Sequence, residues 1–477
     1  MSAPRFLLLA TLAVGLGSIT PARAESAEAP PPSGFTRVEE LSLDEALARL
    51  DSDSPTLQQA SARADGARAM ARQVASALLP VVAATGSYTR NSAESKMSLS
   101  SLFDGIESGI NAASPVQITL DRSEVPDDLI IQPLQQWTGA LSARVALFAG
   151  NAYADLAAAL AGAQAADATV DGVQLQLRAA LAQSAWLAAA ADGFVSATER
   201  AVTTATEHAA SAERGVGAGL FPQLYLLQAQ TELAARQADL VRSRAVRDRA
   251  LLAIGALLGR DGPVRILVPL DGIDVAPSSG DVGSQADEVR AAIPRRPEVQ
   301  AKQSQLLVAQ RQRTSAWLRH APTLGASFAG FVSDVAFPTG DKAAWRFSLD
   351  LQWVLFDGGY RYGKLAEARA ATRFAESALD EQKVTVAREV RDAERELDVA
   401  EEALRLSRVQ RDTAAAAAAS AERAFLAGTL GSMDSLDAAE RAYLAEVGEI
   451  DSRARLAVAR IAVRRAQGLP EGAQEAQ

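Results

Sequence analysis

One segment of this chain alternates between two kinds of side chain along its whole length. Large apolar side chains occupy every second position, at Trp345, Phe347, Leu349, Leu351, Trp353 and Leu355. The first positions between them are polar, at Arg346, Ser348, Asp350 and Gln352. A period of two is typical of a β-strand, and an apolar face opposite a polar face is how a membrane strand divides lipid from an aqueous lumen.

Long alanine-rich helical patterns separate this segment from three others with strand character. The four predicted strands are residues 81–90, 137–148, 323–333 and 345–356. Membrane barrels made from a single chain need about eight strands or more. Because four strands cannot close a barrel alone, we expect the chain to form an oligomeric pore.

The N-terminus has the pattern of an export signal. Arg5 provides a positive charge, residues 6–16 form an apolar core, and Ala22 and Ala24 flank Arg23 in a small-x-small cleavage pattern. Such a segment is typical of a cleavable secretory signal peptide rather than a membrane anchor. The chain contains no cysteine, so we expect no lipid attached through a cysteine, no disulfide and no thiolate metal site.

Charge and hydropathy exclude two other classes of protein. The formal net charge is -10, and removal of Arg5 and Arg23 with the signal peptide makes it about -12. An acidic chain is a poor nucleic-acid binder, so no nucleic-acid partner is expected. After the signal peptide, no stretch of about eighteen residues is apolar enough for a transmembrane helix, so a membrane role would depend on the strands.

The order of elements occurs twice along the chain. At an offset of 208 residues the matching pairs are Trp137 and Trp345, Leu141 and Leu349, and Gly150 and Gly358. At an offset of 209 residues, Gly219 matches Gly428 and Leu227 matches Leu436. At an offset of 242 residues, Pro55 matches Pro297 and Pro80 matches Pro322. We therefore predict a tandem duplication, with units near residues 42–258 and 284–468.

Each unit is predicted to contain a helix, a β-hairpin and a long helical hairpin. The first unit comprises a helix at 41–80, a β-hairpin at 81–149 with an insertion at 91–136, and a helical hairpin at 150–260. The second comprises a helix at 291–322, a β-hairpin at 323–356 and a helical hairpin at 357–468. The remaining predicted segments are the signal peptide at 1–24, linkers at 25–40 and 261–290, and a disordered tail at 469–477.

Several short motifs in these units carry a family resemblance. They are the runs at residues 41–47 (LSLDEAL), 54–57 (SPTL), 79–80 (LP), 355–359 (LFDGG) and 434–437 (DSLD), together with Gly428. Each is weak alone, but in this order they resemble the TolC-type outer-membrane factor family over residues 40–468. Members of that family are exit ducts of tripartite efflux pumps and type I secretion systems.

The resemblance implies a fold, a location and a set of partners. The fold is mainly α with a β-hairpin in each repeat, and three chains form a twelve-stranded β-barrel in the outer membrane. Coiled coils continue this barrel as a tube through the periplasm. The implied partners are two further copies of the chain, outer-membrane lipid, a periplasmic adaptor protein and an inner-membrane transporter. The duct would be passive and would open by movement of the coiled-coil tips.

Two aspartates follow the second predicted turn. Asp434 and Asp437 are three residues apart, which places them on one helical face. In the resembled family, matching positions form acidic rings at the narrowest part of the entrance, where stacked carboxylates would favour cations. The alternative is that they stabilise a helix N-terminus through the helix dipole.

Glycines and prolines mark the predicted turns and hinges. The tips, which the resemblance assigns to adaptor docking, are Gly215, Gly217, Gly219, Leu220, Gly428, Thr429 and Leu430. The predicted hinges between barrel and helices are Pro80, Gly150, Pro322, Gly358 and Gly359. For the tips, a plain helix-reversing turn is the alternative. A phosphate-binding loop is disfavoured because a long helix, not a strand, precedes Gly215.

The polar gate of the resembled family is not reproduced here. Its members tie the closed entrance with hydrogen bonds between polar residues at the two tips. The corresponding positions of this chain are Leu224, Tyr225, Phe425 and Leu430, and all four depart from that pattern. We expect the closed state to depend more on apolar packing.

No catalytic, cofactor or metal site is predicted. His208 and His320 are far apart in sequence, and neither has a cysteine or second histidine nearby. No nucleophile elbow occurs. Besides the exit duct, one alternative is a non-conducting periplasmic coiled-coil adaptor or scaffold, which would commonly contain a lipoyl-like domain and a single hairpin. The other is a secreted enzyme, for which no site can be assigned.

Overall fold

The computed structural model describes residues 38–113, 115–119, 128–269, 285–336 and 341–471. The predicted signal peptide, most of the linker at 25–40, residues 270–284 of the second linker and residues 472–477 of the tail lie outside these ranges. The elements are β1 (Glu39–Ser42), α1 (Leu43–Asp53), α2 (Pro55–Ser76), β2 (Val81–Arg90), β3 (Ser95–Ser98), α3 (Leu99–Ala113), β4 (Asp128–Gln132), β5 (Gln135–Phe148), α4 (Gly150–Gly217), α5 (Gln223–Leu257), β6 (Val264–Leu267), α6 (Gln285–Arg295), α7 (Pro297–Leu318), β7 (Thr323–Ser333), β8 (Ala343–Gln352), α8 (Tyr360–Leu426) and α9 (Ser432–Ala466).

The lengths of corresponding helices confirm the predicted duplication. Helices α1 and α6 each contain 11 residues, and α2 and α7 each contain 22. Helices α5 and α9 each contain 35 residues, while α4 has 68 and α8 has 67. Each unit therefore contributes two short helices, two long strands and one long helical hairpin.

Proline divides two regions that the sequence analysis treats as single helices. In place of one helix at 41–80, α1 ends at Asp53 and α2 begins at Pro55. In place of one helix at 291–322, α6 ends at Arg295 and α7 begins at Pro297. Proline disfavours the helical conformation of the residue before it. Ser54 and Arg296 accordingly have extended ψ angles of 119° and 118°.

The four long strands form one antiparallel sheet in the order β2-β5-β7-β8. The apolar side chains of β8 project from it, and Trp345 is 73% exposed. Strand β8 ends at Gln352 rather than at the predicted residue 356, and its last partner is Thr323. The partner strand begins there because Pro322 has no N–H to donate to a sheet ladder.

The insertion predicted at 91–136 has its own secondary structure. Strands β3 and β4 pair in antiparallel fashion, and the 15-residue helix α3 follows β3 directly. Strand β5 begins at Gln135, inside the predicted insertion. Residues 114 and 120–127 of the insertion are outside the described ranges.

A small parallel sheet joins the two predicted linkers. Strand β1 pairs with β6, with Leu41 opposite Ile266. Leu41, Val264 and Ile266 are buried in a core with Leu181 of α4 and Ile254 of α5. The linker predicted at 261–290 therefore anchors the first repeat near the middle of α4 and the end of α5.

Two helical hairpins form the elongated part of the chain. The first hairpin consists of α4 and α5, and the second hairpin consists of α8 and α9. Along α8, Val390, Ala400 and Leu404 are buried, at spacings that match the core positions of a coiled coil. The hairpins meet where alanines of α4 contact α9, and a Cβ placed at Gly193 would lie 3.1 Å from Cγ2 of Ile450. Small side chains thus allow the two hairpins to approach closely.

The length and hydropathy of the helices can be compared with the demands of a lipid bilayer. Over the described ranges, the chain has no helix that combines the length and the apolar character needed to cross a membrane.

Candidate functional site

The tips of the two hairpins end in the same backbone motif. At the first tip, the Leu220 N–H donates to the Gly215 carbonyl at 2.8 Å, and Gly219 has φ 72°. At the second tip, the Thr429 N–H donates to the Ala424 carbonyl at 2.9 Å, and Gly428 also has φ 72°. This is the Schellman motif, in which glycine takes the left-handed conformation just after a helix. The predicted turn glycines Gly219 and Gly428 therefore both end a long helix in the left-handed conformation.

The other predicted tip residues have different surroundings. A Cβ at Gly215 would collide with the Phe221 ring, whereas nothing lies within 4 Å of a Cβ placed at Gly217. Leu220 is 76% exposed, Thr429 is exposed and Leu430 is half-buried. Of these side chains, Leu220 is the one most available to a partner.

Three aromatic rings join the two tips within one chain. The Phe221 and Tyr225 ring centroids are 5.1 Å apart, and the Phe425 centroid lies 5.7 Å and 5.5 Å from these two. Tyr225 is buried beside Ala212 and Ala229. Burial raises the pKa of the Tyr225 hydroxyl, so the phenol stays neutral.

Two of the four gate positions lie in the aromatic cluster, and two lie outside it. Tyr225 and Phe425 lie together in the aromatic cluster, whereas Leu224 is largely exposed and Leu430 is half-buried. Phe221 completes the cluster and was not singled out from the sequence. The glycine six residues earlier could have indicated Phe221, because any side chain at position 215 would collide with the Phe221 ring.

The two aspartates lie at the start of α9, which begins at Ser432. Asp434 is in the first turn of that helix. Asp437 is in the next turn, where its Oδ2 lies 2.6 Å from Nη2 of Arg441 in an ion pair. The side chains of Asp437 and Arg441 are both largely exposed. The N-terminal position of Asp434 fits the helix-dipole interpretation, while the exposure of both carboxylates is compatible with an acidic ring.

The predicted hinges lie where the sheet joins the helices. Pro80 and Pro322 immediately precede β2 and β7, and Gly150 begins α4 with its Cβ position 3.3 Å from Cδ2 of Leu318. Gly358 and Gly359 have φ angles of 67° and 90°, which only glycine adopts readily. This backbone geometry turns the chain from β8 into α8.

An ion pair that was not singled out from the sequence holds this last turn. Asp357 accepts hydrogen bonds from the Gly359 N–H at 3.2 Å and from Nε of Arg361 at 2.7 Å. Arg361 is buried and also donates to the carbonyls of Leu355 at 3.3 Å and Arg319 at 3.4 Å. Arg361 thereby connects the segment after β8, the start of α8 and the end of α7.

A second buried arginine lies between the hairpins. Arg236 of α5 is 7% exposed and donates to Glu232 at 2.6 Å, Asp239 at 3.1 Å and Glu440 at 3.3 Å. Its guanidinium carbon lies 4.8 Å from the ring centroid of Tyr443. Burial by itself lowers the pKa of Arg236, but the hydrogen bond to Glu232 and the charges of all three carboxylates hold that pKa above its ordinary value.

A cleft of about 490 Å³ lies beside this arginine. All four long helices line it, and small side chains predominate: Ala197, Ala201 and Ala205 of α4, Ala229 of α5, Ala415, Ala418 and Ala419 of α8, and Ala439 and Ala442 of α9. His208 also lines the cleft, whereas His320 is distant, with Nδ1 3.1 Å from the Trp317 carbonyl. Within the part of the chain that the structure describes, no three histidine, cysteine, aspartate or glutamate side chains are grouped to hold a metal ion.

Comparisons with known proteins agree with this architecture. The sequence model of the family described as "Outer membrane efflux protein" matches residues 44–260 and 289–469, one segment in each repeat. Protein CyaE of Bordetella pertussis is 28% identical over 363 residues, which cover 76% of this chain and 69% of that protein.

Solved structures share the fold. The outer membrane protein VceC from Vibrio cholerae has a TM-score of 0.70 at 19% identity, covering 90% of this chain and 96% of that one. The open state of the Neisseria gonorrhoeae MtrE outer membrane channel has a TM-score of 0.71 at 17% identity, covering 91% and 90%. Both similarities cover about nine tenths of this chain.

The family match spans most of the chain and includes both repeats, so it decides between the classes considered from the sequence. The fold is that of channel proteins rather than of a single-hairpin adaptor or an enzyme. The protein belongs to the outer membrane efflux protein family, and it shares the fold of outer membrane channels.

Proposed function

We propose that three copies of the chain assemble into a passive exit duct through the outer membrane. The observation that carries this proposal is the four-stranded sheet with its exposed apolar face. Strands β2 and β8 are its edges, and each pairs with one neighbour within the described chain. Uncovered edges invite pairing with another chain, and a membrane barrel leaves no edge unpaired.

The number of copies follows from the strand count and the family resemblance. Two copies would supply eight strands and three would supply twelve, both within the range of known membrane barrels. The resemblance to TolC-type factors favours three. In this arrangement β2 of one copy pairs with β8 of the next, and the side chains of Phe347, Leu349 and Leu351 face lipid.

The helical hairpins continue the duct below the membrane. At 1.5 Å per residue, the 68 residues of α4 extend about 100 Å, roughly three times the hydrocarbon thickness of a bilayer. The hinges at Pro80, Gly150, Pro322, Gly358 and Gly359 turn the chain between the barrel and these helices. Six hairpins from three copies would enclose a tube that crosses the periplasm.

The tips form the entrance of the proposed duct. Asp434 and Asp437 from three copies contribute two stacked acidic rings that select for cations. The exposed Leu220 and the turn residues Gly215, Gly217, Gly219, Gly428, Thr429 and Leu430 form the surface that docks a periplasmic adaptor protein. An inner-membrane transporter supplies the energy and chooses the cargo, so the chain itself needs no catalytic site.

The entrance opens when the second hairpin moves against the first. In the closed state, Phe221, Tyr225 and Phe425 hold the tips of one chain by apolar packing rather than by the polar bonds of other family members. Leu224, which is exposed, and Leu430 face neighbouring copies at this level.

The proposal is tested by expressing the full chain and measuring conductance in planar bilayers. We expect the protein in the outer-membrane fraction, and we expect stepwise conductance after its addition in detergent. Trivalent cations added on the side of the tips should block that conductance. A protein recovered only in the soluble periplasmic fraction, without conductance, would overturn the proposal.

A further inference from the structure

The polar face of the four-stranded sheet carries two arginines. On β8, Arg346 follows Trp345 of the apolar face, so its side chain lies on the opposite face. On β5, Arg144 is paired with Ser327 of β7, which is in turn paired with Ser348 of β8. Residues directly opposite each other project from the same face of a sheet. Because Ser348 is two residues from Arg346, the two arginines share one face and lie in adjacent rows of it.

Both guanidinium groups are available to solutes on this face. Arg144 and Arg346 are exposed, and neither forms an ion pair with any residue that the structure describes. The guanidinium carbon of Arg346 lies 5.9 Å from the ring centroid of Phe331, which is within the range of a cation–π contact. Such a ring holds the guanidinium in place without neutralising its charge.

Short side chains surround the two arginines. The other residues of these two rows on β5, β7 and β8 are Ser142, Ser327, Ala329 and Ser348. Side chains of this size leave the guanidinium groups within reach of a solute, and the serine hydroxyls add further hydrogen-bond donors.

One carboxylate lies on the same face. Asp350 of β8 is paired with Gly325, one row nearer the helices than Arg144, and its Oδ2 lies 3.5 Å from Oγ of Ser327. The remaining residues of β2, β5, β7 and β8 on this face carry no charge. Two arginines and one aspartate therefore leave each chain with an excess of positive charge on the polar face of its sheet.

We propose that Arg144 and Arg346 of the assembled copies form a basic belt inside the barrel, which binds carboxylate or phosphate groups of passing solutes. This inference rests on the proposed function, because that function makes the polar face of the sheet the lumen. A guanidinium group binds two oxygens of a carboxylate or phosphate at once. Each repeat supplies one arginine, so three copies would supply six. The belt has the opposite sign to Asp434 and Asp437, so the barrel and the entrance favour ions of opposite charge.

The charge of the belt can be measured with a single thiol. The chain has no cysteine, so Ser142→Cys introduces the only one, two residues from Arg144 and in the row of Arg346. The detergent-extracted oligomer is treated with two methanethiosulfonates, one carrying an anionic sulfonate and the other a cationic trimethylammonium group. We expect Arg144→Gln with Arg346→Gln to lower the ratio of the anionic to the cationic reaction rate about fivefold or more at low salt, because charges roughly 10 Å away in water still act on the reagent.

Two further variants control for the position and the sign of the charge. Arg90→Gln removes an equal charge from the opposite face of the same sheet, at the far end of β2, and should leave the rate ratio unchanged. Asp350→Asn removes the negative charge of the polar face and should raise the ratio. The amount of heat-stable oligomer shows that each variant has assembled.

Binding is tested by block of the channel in planar bilayers. Decaglutamate is added on the side opposite to the protein, where the barrel opens, because the long helices remain on the side of addition. We expect it to reduce wild-type conductance, with a half-blocking concentration about tenfold higher or more after both arginine substitutions, since several exposed charge pairs act together. Decalysine is the control probe, and its effect should not weaken in that variant. Inorganic tripolyphosphate, tested in the same way, shows whether phosphate oxygens bind as carboxylate oxygens do.

The outcomes distinguish the belt from the proposed function. If wild type conducts but the rate ratio at position 142 and the half-blocking concentration are the same with and without the two arginines, the belt is wrong and the exit duct stands. An equal fall of the rate ratio in Arg90→Gln would also overturn the belt. If neither wild type nor any variant conducts, the proposed function fails, and the belt fails with it.

Discussion

The ring of Phe221 occupies the space that a side chain at Gly215 would need. Gly215 lies at the end of α4, and Phe221 follows the turn at Gly219, so the close approach fixes how the chain reverses at the first tip. Two residues further along the chain, at the last residue of α4, Gly217 has open space at its Cβ position. The two glycines therefore form a matched pair for testing the aromatic cluster.

Gly215→Ala should displace the Phe221 ring and loosen its packing against Phe425. Overpacking of this kind costs about 1–3 kcal/mol. We expect faster hydrogen exchange at the amides of residues 221–229 and a lower unfolding temperature of the tip. Gly217→Ala is the control and should not destabilise the tip, because nothing lies within 4 Å of a Cβ at that position. Equal effects of the two substitutions would contradict a tightly packed aromatic cluster.

The face of β8 that meets lipid can be tested with one pair of arginines. Leu349→Arg places a charge on the exposed apolar face, and Ser348→Arg places the same charge on the opposite face of the same strand. Near the bilayer midplane, a lipid-facing arginine costs about 2–4 kcal/mol per copy. We expect Leu349→Arg to reduce the amount of heat-stable oligomer in outer-membrane fractions, and Ser348→Arg to assemble. The reverse result would show that the two faces are assigned the wrong way round.

The acidic rings predict how multivalent cations act on the entrance. Carboxylates of Asp434 and Asp437 from several copies would crowd a narrow opening, where charge is weakly screened. Replacing both with asparagine should strongly reduce block by trivalent cations and reduce cation preference at low salt. Asp451→Asn is the control, because Asp451 lies on the same helix and pairs with Arg455 as Asp437 pairs with Arg441. Unchanged block in the double variant would leave only the helix-start interpretation.

Much of the fold was predictable because proline and glycine positions mark the ends of elements. Pro55 and Pro297 begin helices of equal length, and the alternating pattern of residues 345–355 indicated β8. The pairing of β1 with β6 was not predictable, since two four-residue strands more than 200 residues apart have no local signal for each other. Helix α3 was not predicted, because residues 91–136 were interpreted only as an insertion between two strands.

The candidate site was predictable only where local backbone geometry decides it. Gly219 and Gly428 were found because a helix that reverses needs a left-handed residue. Arg236 gave no such signal, because arginines with carboxylates three or four residues away occur on many solvated helical faces. Its importance comes from Glu440, 204 residues further along the chain, which only the packing of α5 near α9 brings within reach.

The association of several copies through the sheet edges is the central claim, and the native mass of the detergent-extracted protein tests it most directly. Three mature chains should be found in one particle, because twelve strands then close the barrel and neither β2 nor β8 keeps an open edge. The particle should resist dilution, since dissociation would expose both edges and the apolar face. A stable monomer in mild detergent would contradict the account.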